Sequence, residues 1–530
     1  MKVVGRLILV AGILIGLSGC GEAQQHNSPQ EKGSQPSETQ TPRTTDFKKV
    51  RQPAVAGMFY PRDKADLLKT VDDDLAGVKP ASIEKLRGLV CPHAGYRYSG
   101  KTAAIAYKQL VGRDCETVVV MAPSHYAAFQ GASIPDADAY QTPLGLVPVS
   151  PKAAKLVKTP PFVVNPKCDV SRPGWWRQAP KDLPPFGKDT PHTWEHSLEV
   201  QLPFLQRTLK NFSLVPIVFG KVEPEAVAKA LSPIIDEKTL LVASSDLSHF
   251  HPYETAKKLD TTCVEAIIRL NTDWLEQQEA CGKLPILTLM HLAKEKGWKT
   301  KLLDYRNSGD TAGDKSNVVG YAAIAFFGDG VAKPQDKTTP EQVTPAEQKF
   351  LLDLARKTVD DVVNLRGLPE VDVAKVPKNL IPPGACFVTL TKKGKLRGCI
   401  GHIFPREPLY EAVLDNAMSA ALRDHRFPSV KKDELDDIEI EVSILTIPKR
   451  LEFKSPEELL RKLRPDVDGV ILRVGRRQAT YLPQVWEHFP KKEAFLDHLA
   501  QKAGLSASAW RSREATVLVY QVQAFKESEK

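Results

Sequence analysis

Four short apolar, β-branched runs at 88–91, 117–121, 214–219 and 239–243 alternate with amphipathic stretches at 100–111, 196–208, 256–270 and 284–296. Short apolar runs of this kind read as strands, and apolar residues recurring every three to four positions read as helices. This alternation constrains the chain more than any other feature. It predicts an α/β domain around a largely parallel or mixed sheet. Polar residues gather where the strand runs end. The first passes into Pro92-His93-Ala94-Gly95-Tyr96, the second into Ala122-Pro123-Ser124-His125, and the fourth into Ser244-Ser245-Asp246-Leu247-Ser248-His249. In α/β sheets ligands bind beyond the carboxyl ends of the strands. His93, His125, Asp246 and His249 are therefore expected to converge.

Trp194-Glu195-His196-Ser197 opens a helix and adds a carboxylate and an imidazole. Cys281-Gly282 precedes the 284–296 helix, which places a thiol at a helix N-terminus, where thiolate is favoured. Two imidazoles and one anionic ligand form a facial set that suits iron and also binds copper or zinc. A single histidine after a strand is most often a loop hydrogen-bonder, and a single cysteine is usually a small buried apolar residue. Recurrence at three strand ends is what singles these residues out. Residues 165–192, rich in Pro, Gly, Trp and charge, interrupt the alternation and read as a surface insertion.

A length of 530 residues argues for more than one domain. The polar segment 329–345, with Pro334, Pro340 and Pro345, reads as a linker. After it Thr344, Pro345 and Glu347 form a capping-box start to a helix. The domains are thus placed at 47–330 and 345–530, joined by 331–344. With 42% hydrophobic and 26% charged residues, wholesale disorder, collagen-like repeats and a polytopic membrane protein are excluded. A net charge of +9 without a long basic run leaves no electrostatic footprint for nucleic acid. Phosphate-cradling loops, a GxSxG elbow and paired CxxC motifs are absent from the sequence, which ranks kinase, hydrolase and structural-zinc readings low.

Lys2 and Arg6 precede an apolar run at 7–17. At 11 residues it is too short to span a bilayer, which needs about 20, and fits the core of a secretory signal. Leu17-Ser18-Gly19-Cys20 resembles the bacterial lipobox, which implies cleavage before Cys20 and a diacylglycerol on its thiol. Residues 21–46, rich in Gln, Ser, Thr and Pro, read as a disordered tether. The expected location is the bacterial cell envelope, anchored in the lipid bilayer on the extracytoplasmic side (periplasm or outer membrane). The other seven cysteines, 91, 115, 168, 263, 281, 386 and 399, are odd in number, so at least one is free, metal-bound or paired between molecules.

The motifs PHAGYRYSG at 92–100, APSH at 122–125, EHSLEVQLPFL at 195–205, SSDLSH at 244–249, ACGKLPI at 280–286 and SGD…VGYAA at 308–323 resemble the Memo family. Its bacterial members are called AmmeMemoRadiSam system protein B. The resemblance implies a fold like that of class III extradiol ring-cleaving dioxygenases and a metal site at His93, His125 and Cys281. It also implies that Asp246 and His249 line the pocket, with His249 as acid/base, and it makes His196 a further pocket candidate. The dioxygenases use a carboxylate where Cys281 stands, so ring cleavage is disfavoured and redox-active iron or copper is preferred. In such a site Asp246 is expected to fix the tautomer of His249, and the 165–192 insertion to cover or extend the pocket mouth.

In the second region, LRGCIG at 396–401 follows an alternating hairpin-like segment, RDHRFP at 423–428 follows a helical stretch, and 438–445 alternates as a strand. Together with segments at 468–472 and 479–486 they resemble the AMMECR1 family, AmmeMemoRadiSam system protein A, which implies an α+β fold. Cys399 lies near Arg397 and the 423–426 cluster, where cations favour a reactive thiolate, with His402 or His425 as base. A tight Gly-flanked turn with a buried cysteine is the alternative, and Cys386 and Cys399 flank the expected hairpin, where geometry decides whether they pair as a disulfide. The fusion suggests joint action, with a radical SAM protein of the same system as partner. The expected function is a metal-dependent redox role for the Memo-like domain on a small-molecule or peptide substrate. A non-catalytic metal- or peptide-binding module is the alternative.

Overall fold

The computed structural model describes residues 47–81, 83–178, 185–328 and 342–527. Every residue of the Thr117–Pro123 strand is buried. A strand apolar on both faces belongs in the interior of a sheet covered on both sides. Here it lies between Thr239–Ser244 and Ser213–Phe219, parallel to both, with Leu86–Cys91 parallel beyond Thr239–Ser244. The nine-stranded sheet continues past Leu86–Cys91 through antiparallel Val318–Phe327, and past Ser213–Phe219 through Ala132–Ile134 and Phe162–Val164. Alternate strand residues face opposite sides. Val90, Val119 and Met121 pack in the core shared with helices Pro224–Leu231, Tyr253–Ile268 and Lys283–Lys296. Leu89, Cys91, Val118 and Val120 pack in the core shared with Lys64–Ala76, Tyr96–Tyr107 and Leu202–Thr208. The register Ser244↔Cys91 and Ala243↔Met121 brings the carboxyl ends of the central strands to one edge.

Two helices differ from the sequence reading. The first starts at Tyr96 rather than near residue 100, with Gly95 as its N-cap, so it begins immediately after the His93 turn. The expected helix at 196–208 is broken into His196–Glu199 and Leu202–Thr208. Pro203 stands in the first turn of the second piece, where its missing N–H costs nothing. The 165–192 segment is only partly superficial. Asp169–Val170 pairs with Ala127–Ala128, the Arg172–Asp189 ion pair is almost fully buried, and His192 is buried against Tyr140 and Ser133.

The second region carries an antiparallel sheet of Lys395–Gly401, Pro383–Lys392, Ile438–Leu445 and Val522–Lys526. Helices Pro345–Val363 and Leu409–Leu422 share its core. The Thr344 capping box is present. A second sheet of Lys449–Arg450, Ala515–Tyr520, Gly469–Val474 and Arg477–Tyr481 shares a core with Pro456–Lys462 and Lys492–Lys502, with Trp486 stacked on Phe495. The 479–486 segment holds the end of the Arg477–Tyr481 strand and then, from Pro483, a 3-10 turn. Cys386 and Cys399 form no disulfide; all seven described cysteines are free. Register sets Cys399 opposite Thr389. Cys386, an odd number of positions from Thr389 on the same strand, points to the buried face instead.

Trp274 and Leu270 of the first region share one apolar cluster with Phe404, Leu445, Ile447, Leu518 and Tyr520 of the second. Cys20, the apolar run at 7–17, the 21–46 segment and residues 329–341 of the linker lie outside the described residues. Among the described residues no helix is long and apolar enough to cross a membrane.

Candidate metal centre

His93 stands two residues past the Leu86–Cys91 strand and is 2% exposed. Its Nδ1 lies 2.9 Å from Ser244 Oγ. That hydroxyl donates to the Ser197 carbonyl at 2.6 Å and accepts from Gln201 Nε2 at 2.8 Å. Its remaining lone pair faces the ring, so the proton sits on His93 Nδ1 and Nε2 keeps its lone pair. His125, past the Thr117–Pro123 strand, donates from Nδ1 to Glu195 Oε1 at 2.9 Å and from its backbone N–H to Oε2 at 2.7 Å. Its Nε2 is likewise left free. Glu195 is the N-cap of His196–Glu199 and accepts from Ser197 N–H, so the helix start fixes both Glu195 and the next residue, His196. The His196 Nδ1 lies 3.2 Å from Tyr126 Oη. Ring centroids are 4.7 Å apart for His125–His196, 5.2 Å for His93–His125 and 5.5 Å for His93–His196. One nitrogen from each ring falls within 4.8 Å of the others.

Burial holds His93 well below its ordinary range, with His125 adding to the effect. Burial takes His196 down to about 3 against the pull of Glu195. Both rings are neutral at neutral pH, the form that binds a metal. Burial alone would also lower His125, but its hydrogen bond to Glu195 and that carboxylate's charge outweigh it and the net shift is upward. Burial would raise Glu195, and the same bond holds it well below the usual carboxylate range. A carboxylate behind a ligand histidine fixes the ring and raises its basicity. Three imidazoles with lone pairs in one small volume form a donor set that fits a transition-metal ion.

Cys281 Sγ lies 3.1 Å from His93 Nε2 and accepts from the Asp246 N–H at 3.2 Å. It is not part of the close three-nitrogen group; His196 is. Its thiol and a cation would compete for the same His93 lone pair. In the metal-free protein the helix N-terminus does not by itself favour the thiolate at Cys281. Gly282 is the N-cap of Lys283–Lys296, and burial, reinforced by Asp246, pushes the Cys281 thiol up. Asp246 Oδ1 accepts the His93 backbone N–H at 2.7 Å. The expected tautomer role of Asp246 falls instead to Leu247, whose carbonyl takes His249 Nδ1 at 2.8 Å. His249 Nε2 is thereby left as a lone-pair nitrogen, and its backbone N–H donates to Glu279 Oε1 at 2.9 Å.

Cys281 also lines a groove of about 690 Å³. Phe129, Phe219 and Leu284 line it, and Lys167 and Lys221 stand along it. Trp175, from the 165–192 segment, packs edge-on against Tyr126, whose ring centroid lies 5.7 Å from that of His196.

Cys399 lies apart from this cluster. Its Sγ accepts from Thr389 Oγ1 at 3.3 Å, its N–H donates to Asp424, and its carbonyl accepts from Arg426. Neither expected base is engaged by the thiol among the described residues. His402 Nδ1 faces Asn416, and burial takes this ring down to about 4; His425 is exposed.

Sequence reasoning did not single out Tyr126, Gln201 or Ser244 as site residues. Each is neutral and acts through a hydrogen bond to a histidine or its neighbours, and only the order of residues around the His motifs hinted at them.

Residues 51–325 match the Memo-like protein family and residues 352–525 match AMMECR1. The chain belongs to the Memo-like family. A MEMO1 family protein of Aquifex aeolicus is 38% identical over 292 residues, which cover 53% of this chain and 100% of that protein. One from Ignicoccus hospitalis is 35% identical over 303 residues, 52% of this chain and 98% of that protein. Among solved structures, the uncharacterized protein PH0010 from Pyrococcus horikoshii is 33% identical and has a TM-score of 0.34, covering 35% of this chain and 94% of its own. The matched region thus spans 100% of the Aquifex protein and 98% of the Ignicoccus protein, and in this chain the Memo-like region is joined to an AMMECR1 domain.

Proposed function

We propose that the Memo domain holds a redox-active transition metal, iron ahead of copper, and uses it on a small anionic substrate with dioxygen as oxidant. The observation that carries this reading is the set of three histidines whose ring nitrogens approach within 4.8 Å, two of them with Nδ1 tied off so that Nε2 stays free. His93, His125 and His196 would hold the ion, with Cys281 as the neighbouring fourth donor. When bound, such an ion supplies Lewis acidity and one-electron chemistry. The chain's own residues do the rest. The groove walls Phe129, Phe219 and Leu284 exclude water from an apolar body, and Lys167 and Lys221 attract its negative charge. His249, with its proton on Nδ1, presents Nε2 to accept a proton from a substrate hydroxyl. Glu195 keeps His125 in the metal-binding orientation. The AMMECR1 domain and a lipid anchor at Cys20 belong to the same proposal: the protein works at the envelope membrane with a radical SAM protein of the same system.

The test is the metal content of the anaerobically purified chain from residue 47 onward, beside His93→Ala and Cys281→Ser. Near-stoichiometric iron or copper, lost in His93→Ala and weakened in Cys281→Ser, supports the reading and opens a substrate screen by oxygen uptake. Absence of metal and of uptake after reconstitution overturns it in favour of a binding module.

A further inference from the structure

We infer that the AMMECR1 domain positions Cys281 in the Memo metal centre, by gripping the segment from which that cysteine hangs. The inference rests on the metal-site reading above. The segment runs from Asn271 to Gly282. At its start, Asn271 Oδ1 caps the short helix Thr272–Glu276 through the Trp274 N–H, while its Nδ2 donates to the Pro448 carbonyl across the domain boundary at 3.3 Å. Trp274, 1% exposed, donates its indole N–H to the Pro405 carbonyl at 3.0 Å. Glu276 accepts Arg473 Nη1 at 2.7 Å. Three consecutive anchors thus come from the second domain: two from backbone carbonyls, one from a guanidinium.

The far end of the segment carries the chemistry. Gln278 ties it back, bonding Thr262 at 2.6 Å and the Trp274 carbonyl at 3.3 Å. Glu279 accepts the His249 backbone N–H and His251 Nε2, both at 2.9 Å. Cys281 then places Sγ at His93 Nε2, and Gly282 closes the segment. A Cβ at Gly282 would stand 2.2 Å from the Ser244 carbonyl oxygen, so the segment has no slack at its Memo end. Between the last anchor, Glu276, and the ligand Cys281 there are four residues, and Gln278 among them is tied back to Trp274. Loosening Trp274 therefore frees both Cys281 and the loop that holds His249. Outer contacts that orient metal ligands carry roughly 10–100-fold in affinity, and this set acts on the thiol through one short covalent path.

Cobalt(II) bound to the full chain is the probe, because a thiolate ligand gives it a charge-transfer absorption absent from all-nitrogen sites. Trp274→Phe keeps the buried ring and removes the donor; Arg473→Met removes the Glu276 contact from the other domain. Both are expected to lower cobalt affinity about tenfold and to weaken the charge-transfer band, with thermal unfolding little changed. Lys258→Met breaks the Lys258–Glu411 pair, which crosses the same boundary outside this segment, and is expected to leave both readouts as in the wild type. Wild-type affinity and band in Trp274→Phe and Arg473→Met overturn the inference. Equal losses in Lys258→Met also overturn it, since they would mark a general loss of docking. A wild type that binds no cobalt, or whose band survives Cys281→Ser, overturns the metal-site reading itself.

Discussion

Replacing Glu195 by Gln removes a buried negative charge directly behind the ring of a candidate ligand. The carboxylate accepts four hydrogen bonds. Oε1 takes His125 Nδ1 at 2.9 Å, Ser197 N at 3.0 Å and Ser197 Oγ at 2.7 Å, and Oε2 takes the His125 N–H at 2.7 Å. An amide oxygen can keep the first three, but its NH₂ must then face the His125 N–H. One buried donor against another costs about 1–3 kcal/mol of stability. Metal affinity should fall 10–100-fold, about 1.4–2.7 kcal/mol. The pH dependence adds a second, signed outcome. Glu195 holds His125 above its ordinary pKa, so protons compete with the metal in the wild type as pH falls through that raised value. Without the carboxylate, burial dominates and the competition starts at lower pH. The affinity gap between wild type and variant is therefore widest near pH 8 and narrows towards about pH 6. A chelator-competition titration with cobalt(II) across this range measures it. Affinities within twofold of each other at every pH would refute the carboxylate's role in orienting His125.

Other predictions concern stability, packing and location. His196 in the folded, metal-free protein titrates at about 3, and an unfolded histidine near 6.5. This depressed group lends stability above about pH 6.5 that is lost as pH falls, at up to about 1.4 kcal/mol per pH unit. Urea unfolding at about pH 6 and pH 5 should show His196→Asn losing less stability across that step than the wild type; equal losses would contradict the assignment. Gly282→Ala forces a methyl against the Ser244 carbonyl and should cost about 1–3 kcal/mol in thermal unfolding, with loss of the thiolate–cobalt band. Cys20→Ser should move the protein from the membrane pellet to the soluble fraction of cells producing the full chain; an unchanged distribution would remove the lipid-anchor proposal.

The parallel core was legible because Val118 to Val120 and their neighbours are apolar without alternation, and only a strand covered on both faces has that composition. The convergence of His93, His125 and Asp246 followed from strand ends alone. What escaped the sequence are relations that depend on direction. Nothing in SSDLSH says that His249 turns its Nδ1 to Leu247 while Asp246 turns to the His93 backbone. Periodicity carried the 196–208 helix through, although Pro203 splits it from the short His196–Glu199 helix, and that short helix is what sets His196 beside His125. A thiol at a helix start looks acidic until its burial is known, and for Cys281 burial decides the sign.

His93 and Cys281 touch across 188 residues of chain, and His125, His196 and Asp246 are spread between them. No stretch of the nascent polypeptide shorter than this interval contains the complete ligand set. Metal capture at this site would therefore be a late event in the life of the chain, coming only after the central strands have met in register. It follows that the ion cannot act as a template for early folding, as it does in small zinc modules whose ligands sit close together. A bound ion would act instead as a lock on the finished domain. At a free concentration a hundredfold above its Kd, it would add about 2.7 kcal/mol against unfolding, and a chelator would withdraw that margin without altering the order in which the fold is built.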